Sequence, residues 1–261
     1  PKILQHEKYG QEATKLYNDA QKLLQKIKTE KLLGLRAVYG FFAATSDGDD
    51  VMLNGDSDAT FHFIRQQIKK ADGKPNYCLA DFISPDAEKK DHVAGFAVTA
   101  GIGLKELVDG YKEDNDDYNA IMSEALADRL AEAFAECLHK RVRNEWGFGK
   151  DEGLSNEELI AEKYQGIRPA AGYPACPDHT EKRTLWKLLD VEKNAGIQLT
   201  ESCAMWPGSS VSGLYFSHPE SKYFGVSKIG RDQVEDYAAR KGMEVEEVER
   251  WLGPNLAYDP D

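Results

Sequence analysis

The chain has 261 residues, with 33 basic against 45 acidic side chains and a formal net charge of −12 at pH 7. That balance excludes the basic face a nucleic-acid binder needs, and no apolar run reaches the length of a membrane span. An apolar content of 41% supports a packed core rather than disorder, and the acidity fits a cytoplasmic protein.

Gln11 to Lys31 carries Leu16, Ala20, Leu23, Leu24 and Ile27 at helical spacing, with lysines and acids on the other face. Leu35 to Thr45 is rich in Val, Tyr and Phe and ends in Ser46-Asp47-Gly48-Asp49-Asp50, which predicts a strand and a hairpin, with Val51 to Leu53 opening the partner strand. Thr60 to Lys70 predicts a short helix. Tyr77 to Ile83 and Val93 to Ala100 are apolar runs of strand length around a loop at Ser84 to Asp91, a spacing that favours antiparallel pairing. Gly101-Ile102-Gly103 lacks the rest of a dinucleotide fingerprint and reads as a turn, and Asp114, Asp116 and Asp117 read as a solvated acidic run.

Asn119 to Trp146 is the longest helical pattern, with Ile121, Leu126, Leu130, Phe134, Leu138 and Val142 as its stripe and Gly147 at its end. Ser155-Asn156-Glu157-Glu158 is a capping box that predicts a helix to about Gln165. Asp178 or Thr180 caps a helix running through Asn194, with Leu185, Leu188 and Leu189 inward and Gly196 as its stop. Val211 to Ser217 and Tyr223 to Ile229 predict a hairpin about His218-Pro219-Glu220-Ser221, and Asp232 to Lys241 and Val245 to Leu252 are two closing helices. Helices and antiparallel strands mix without βαβ alternation. The fold class is therefore α+β, a single domain with a twisted, mainly antiparallel sheet and flanking helices.

Arg168-Pro169-Ala170-Ala171-Gly172-Tyr173-Pro174-Ala175-Cys176-Pro177 cannot be a helix or a central strand, because its prolines remove amide donors and fix φ. An arginine offers a fork for a carboxylate, and a glycine lets a ligand approach the main chain, so the loop suits a small anionic or zwitterionic ligand. A proline-rich surface connection is the alternative. Cys78, Cys137, Cys176 and Cys203 are widely spaced with no C-x-x-C pair, which predicts reduced thiols, and the histidines show no metal-ligand spacing.

This loop, with the following Asp178-His179-Thr180-Glu181-Lys182, resembles the S-adenosylmethionine-binding loop of the activation domain of cobalamin-dependent methionine synthase. Blocks at Tyr77 to Phe82, Ala127 to Phe134, Leu154 to Leu159, Thr200 to Gly208, Ser217 to Tyr223 and Arg231 to Tyr237 agree in the same order, so the resemblance covers essentially the whole chain. It implies that Arg168 takes the ligand carboxylate, that Ala170 and Gly172 serve through the main chain, and that Tyr173 flanks the sulfonium methyl. It also implies a second contact segment at Tyr223 and Phe224, placed on the last predicted strand, and a matched carboxylate at Glu132. Glu132 on composition alone suits the exposed side of its helix equally well. Thr200 to Gly213 is rich in small residues around Trp206, and is either a flat surface for a bulky planar partner, which the resemblance identifies as the corrin, or a structural turn with Trp206 in the core.

The function implied is reactivation of the cobalamin cofactor, bound by a neighbouring module of the same enzyme, after it oxidises. One electron from flavodoxin or a related reductase reduces it, and the methyl group comes from S-adenosylmethionine. No side-chain base is implied, and no catalytic side chain or metal site is assigned. The first residue is Pro1 and no methionine precedes Met52, so the chain reads as a fragment that lacks the N-terminal segment of this domain and the folate, homocysteine/zinc and cobalamin modules. Such a fragment is not expected to turn over homocysteine. The alternative is a non-catalytic interaction domain that docks the cobalamin module or a flavodoxin-type reductase.

Overall fold

The computed structural model describes residues 2–55, 59–71 and 73–260. α1 (Gly10–Glu30) buries Leu23 and Ile27 and leaves Leu16 exposed; Lys31, in the left-handed region, ends it. β1 (Gly34–Asp47) and β2 (Asp50–Leu53) form the expected hairpin about Gly48. β3 (Thr60–His62) then adds an edge strand where a helix was predicted. Residues 63–70 stay irregular because their side chains are drawn apart. Phe63 and Ile64 enter different apolar clusters, while Gln66 donates to the Gly225 carbonyl (2.6 Å) and accepts from the Tyr77 amide (3.1 Å).

The predicted strand at Tyr77 to Ile83 is also absent. Leu79–Phe82 makes a 3-10 turn, held by the Asp81 carboxylate on the Cys78 amide at 2.8 Å. β4 (Asp91–Ile102) pairs with a neighbour on both sides and is buried from Val93 to Gly101. α2 (Leu104–Glu113) follows directly and was not predicted. Asp116, far from idle, caps α3 (Asp117–Trp146) by accepting from the Asn119 amide at 3.0 Å. The expected stripe on α3 holds in its second half, where Leu138 and Val142 are buried, and fails at its start, where Ile121 is 66% exposed and Ala120, Ala127, Ala131 and Ala135 are buried beside the half-buried Leu126, Leu130 and Phe134. Ala135 joins Leu138 and Val142 against the sheet, and Ala127 packs with Leu23 and Ile27 of α1.

α4 (Asn156–Ile160) has its capping box but stops after five residues. α5 (Glu181–Leu189) and α6 (Val191–Ala195) replace the single helix expected here, broken at Asp190 with φ 45°. Neither Asp178 nor Thr180 caps α5 through its side chain. β5 (Gln198–Leu199) and β6 (Met205–Trp206) form a small separate hairpin. β7 (Ser210–Tyr215) pairs with β4, and the chain closes with α7 (Arg231–Lys241) and α8 (Val245–Leu252). The expected strand at Tyr223 to Ile229 is irregular chain, so the turn before it has no partner strand.

The main sheet runs β3-β2-β1-β4-β7, antiparallel throughout. Alternation along β4 sends Val93 and Ala97 to a core shared with α5 and α6, and Ala94, Phe96 and Val98 to one shared with α3. The sheet therefore lies between two helical layers, an α+β arrangement in one domain. α7 and α8 build a smaller cluster around Val234, Tyr237, Val248 and Leu252.

One buried polar cluster joins these parts. Lys241, on the last turn of α7, is ion-paired with Asp178 (2.6 Å) and Glu181. The Tyr237 hydroxyl donates to Asp178 at 2.8 Å, and Glu181 accepts the His62 amide of β3 at 3.1 Å. Burial would raise both carboxyls. Lys241 and the Thr180 hydrogen bonds outweigh burial at Asp178 and hold it below its ordinary value, whereas burial prevails at Glu181 and raises it. Removing Lys241 strands two carboxyls, so Lys241→Met is expected to lose about 3–5 kcal/mol of stability in urea denaturation. A loss below about 1 kcal/mol would show that the cluster does not hold α7 in place.

Candidate functional site

The loop 168–177 is laid against β7 by main-chain bonds. Ile167 and Phe216 exchange two hydrogen bonds of 3.0 Å, and the Leu214 amide donates to Pro169 at 3.0 Å. The carbonyl of Pro169 comes so near Gly213 that a Cβ there would lie 2.5 Å from it. Past this point the loop coils on itself: Tyr173 donates to Ala170 (3.3 Å), Gly172 to Cys176 (2.7 Å) and Cys176 to Tyr173 (2.9 Å). The irregular segment after β7 braces it, with the Val226 amide on the Pro174 carbonyl at 2.8 Å. Gly172 has φ +92°, and a Cβ there would fall 2.0 Å from the His179 ring. Only glycine satisfies both constraints.

Arg168 is gripped on one side. Its Nη1 donates to Tyr164 Oη at 2.7 Å, lies 3.3 Å from His139 Nδ1 and is ion-paired with Glu136 at 2.7 Å. Its Nε and Nη2 make no hydrogen bond among the described residues. The result is a guanidinium fixed by Nη1 that offers its Nε–Nη2 edge, the geometry for side-on, two-bond binding of a carboxylate. Burial works against its charge, but Tyr164 and Glu136 more than compensate and hold its pKa above the ordinary arginine value.

His139 underlies this grip. It is buried, stacked on Tyr215 at 4.7 Å and edge-on to Tyr164 at 4.8 Å. Arg168 has only donors, so Nδ1 accepts and the ring proton sits on Nε2. Burial, then Arg143 and Arg168, push the imidazole down to about 2. Arg143 lies over the Tyr164 ring at 4.0 Å and is paired with Glu152 at 3.0 Å. Among the described residues, Glu136 Oε1, Arg143 Nη1 and Tyr215 Oη are buried without a hydrogen-bond partner.

The other expected site residues fall unevenly around this centre. Ala170 and Gly172 are half-buried in the loop, and Tyr173, 63% exposed, stands out from it. Tyr223, on irregular chain rather than a strand, accepts the Arg168 amide at 3.0 Å and so joins the site. Phe224 is half-buried and packs its ring near Tyr77 (5.9 Å) and Phe82 (6.4 Å). Glu132 is exposed on α3, and Glu136, one turn later, makes the ion pair with Arg168. Trp206 is 55% exposed on its hairpin, which overturns the alternative that it is core. The Cys176 thiol is buried and raised well above its ordinary value by burial, as an inert thiol should be. Among the described residues no group of three or more His, Cys, Asp or Glu could hold a metal ion, and no helix is long and apolar enough to cross a membrane.

Glu136, His139 and Tyr164 are the residues the sequence reading missed. Their one available signal is that His139 and Arg143 interrupt the buried alanine face of α3 with polar side chains.

Fold and loop together define a class: an α+β domain with a preset guanidinium beside a rigid proline-rich loop. Residues 1–242 match the family described as vitamin B12 dependent methionine synthase, activation domain, and the chain belongs to that family. It is similar to the solved crystal structure of the MetH reactivation domain bound to AdoHcy, with 57% identity and a TM-score of 0.95 over 99% of this chain and 82% of that one.

The depressed His139 pKa has a measurable consequence. The unfolded chain protonates this residue near pH 6.5, and the folded chain does so only near 2. Its contribution is therefore fully present above about pH 6.5 and is lost as pH falls below it, at about 1.4 kcal/mol per pH unit. Urea denaturation at pH 7 and pH 5 is expected to show a steeper loss in the wild type than in His139→Gln. Equal slopes would contradict a neutral, buried imidazole.

Proposed function

We propose that residues 1–261 form one S-adenosylmethionine-binding reactivation domain, and that the loop at Arg168 is its ligand site. Family membership supports the role, since this is an activation domain of methionine synthase, a methyltransferase. The observation that carries the site is the open Nε–Nη2 edge of Arg168, held in place by the bonds at Nη1. The solved relative has AdoHcy bound; AdoHcy shares the carboxylate, ammonium and adenosine of S-adenosylmethionine and lacks only the methyl on sulfur.

In this reading Arg168 binds the ligand carboxylate through two charge-assisted hydrogen bonds. Ala170 and Gly172 present main-chain groups to the amino-acid or adenosine part, with the missing side chain of Gly172 leaving room for the His179 ring behind it. Tyr173 and Tyr223 offer ring surface to the sulfonium, which aromatic faces attract. Phe224 seats the Tyr223 segment, and Glu132 is the candidate partner for the ammonium. The ligand supplies the methyl group, to a cobalamin held by another module of the same enzyme. This chain orients the donor, and no residue of it is assigned a proton-transfer role. A flavodoxin-type reductase is the proposed electron source. The chain alone is not expected to methylate homocysteine.

Calorimetric titration with S-adenosylmethionine tests the site. Arg168→Ala is expected to weaken binding by about 10- to 100-fold, the loss of charged hydrogen bonds worth about 1.5–3 kcal/mol. Arg168→Lys should recover only part of this, because an ammonium cannot make the two-bond fork. Unchanged affinity in Arg168→Ala would sink the assignment.

A further inference from the structure

Lys182 is 7% exposed, yet among the described residues no carboxylate lies within ion-pair distance of it. Its neighbour Glu181 is committed to Lys241 on the other side of the helix start. The acceptors of the Lys182 ammonium are both neutral: His179 Nδ1 at 2.8 Å and the Cys203 carbonyl at 3.1 Å. Burying an ammonium against neutral acceptors is costly compared with an apolar side chain of the same length. Burial indeed depresses its pKa. Packing alone does not call for a lysine here.

What the two acceptors belong to gives the ammonium a purpose. The His179 ring lies directly over Gly172, at the apex of the ligand loop. Its Nδ1 must accept from Lys182, so the ring is neutral with its proton on Nε2, in keeping with a pKa lowered by burial and by Lys182. Cys203 closes the turn of the β5–β6 hairpin: its amide donates to Thr200 at 2.9 Å, and it holds φ at +58°. Three residues on, the same hairpin presents exposed Trp206. A continuous chain of contacts thus runs from Gly172 through His179 and Lys182 to Cys203.

We propose that Lys182 is a positioning residue that couples the ligand loop to the β5–β6 hairpin, so that ligand at Arg168 to Gly172 changes the order of the turn that carries Trp206. The inference rests on the ligand-binding reading above. A ligand approaching Gly172 meets a backbone whose far side is the His179 ring, and any shift of that ring moves the acceptor of a lysine whose other bond ends on the hairpin. The chain of contacts is contiguous, each link a packed ring or a hydrogen bond of about 3 Å, which is what coupling between the two segments requires.

The test is amide hydrogen exchange of residues 198–206 in the whole chain, with and without saturating S-adenosylmethionine, in the wild type, Lys182→Met and Lys182→Arg. Ligand is expected to change exchange in this segment by about 5- to 10-fold in the wild type. The change should vanish in Lys182→Met, which keeps the length and loses the donors, and return at least in part in Lys182→Arg. Because coupling is reciprocal, Lys182→Met should weaken ligand binding by no more than the same factor. Ligand that binds the wild type without altering this segment overturns the proposal, as does a change preserved in Lys182→Met. Should Lys182→Met not fold, the wild-type comparison and Lys182→Arg still decide. A folded wild type that binds no ligand overturns the binding reading itself, a different result.

Discussion

Lys241 reaches the core from the last turn of α7 and closes a buried network of Asp178, Glu181, Tyr237 and the His62 amide. The C-terminal helices are joined to the sheet through that contact. It ties the start of α5, the edge strand β3 and the C-terminal helices to one point, immediately after the loop that holds Arg168. Mutual charge compensation makes it strict. The ammonium compensates both buried carboxyls at once, with Thr180, Tyr237 and the His62 amide donating to them as well, so losing any one charge leaves the others uncompensated. The segment 178–181 that these groups anchor also carries His179, which sits on Gly172.

The site is built by the same principle on a smaller scale. Arg168 is not free to search for a partner, because Tyr164, Glu136 and His139 occupy Nη1 and the Tyr223 hydroxyl takes its amide. His139 is in turn fixed by stacking on Tyr215, itself stacked on Phe96 of β4 at 4.4 Å. A direct line of packed rings leads from the middle of the sheet to the guanidinium. Preorganisation of this sort spares a ligand the cost of ordering the side chain that meets it.

The sequence was legible wherever local chemistry decided the backbone. The hairpin about Gly48, the capping box at Ser155, the stop of α3 at Gly147 and the exclusion of helix from the proline-rich loop all follow from a few neighbouring residues. It misled where side chains pull in different directions. Phe63 and Ile64 point into separate clusters, so 63–70 is not a helix, and Asp81 turns Leu79–Phe82 into a 3-10 turn inside a run of strand-like residues. On α3 the expected Leu138 and Val142 do pack on the sheet, together with an alanine, Ala135, whose small size gives no signal of burial, whereas Ile121 at the helix start faces out.

For the candidate site the division is similar. Sequence alone, through one arginine, one glycine and three prolines, determined that 168–177 is neither helix nor strand and which residue carries a fork for a carboxylate, because those properties are intrinsic to the residues. Tertiary structure alone decided which carboxylate pairs with Arg168, which edge of the guanidinium is left without a protein partner among the described residues, and that the Tyr223 hydroxyl takes the Arg168 amide while Phe224 packs by Tyr77. Those outcomes depend on groups dozens of residues apart meeting at distances near 3 Å. No local pattern encodes such a meeting, since it exists only once the sheet, α3 and the segment after β7 have closed on one another.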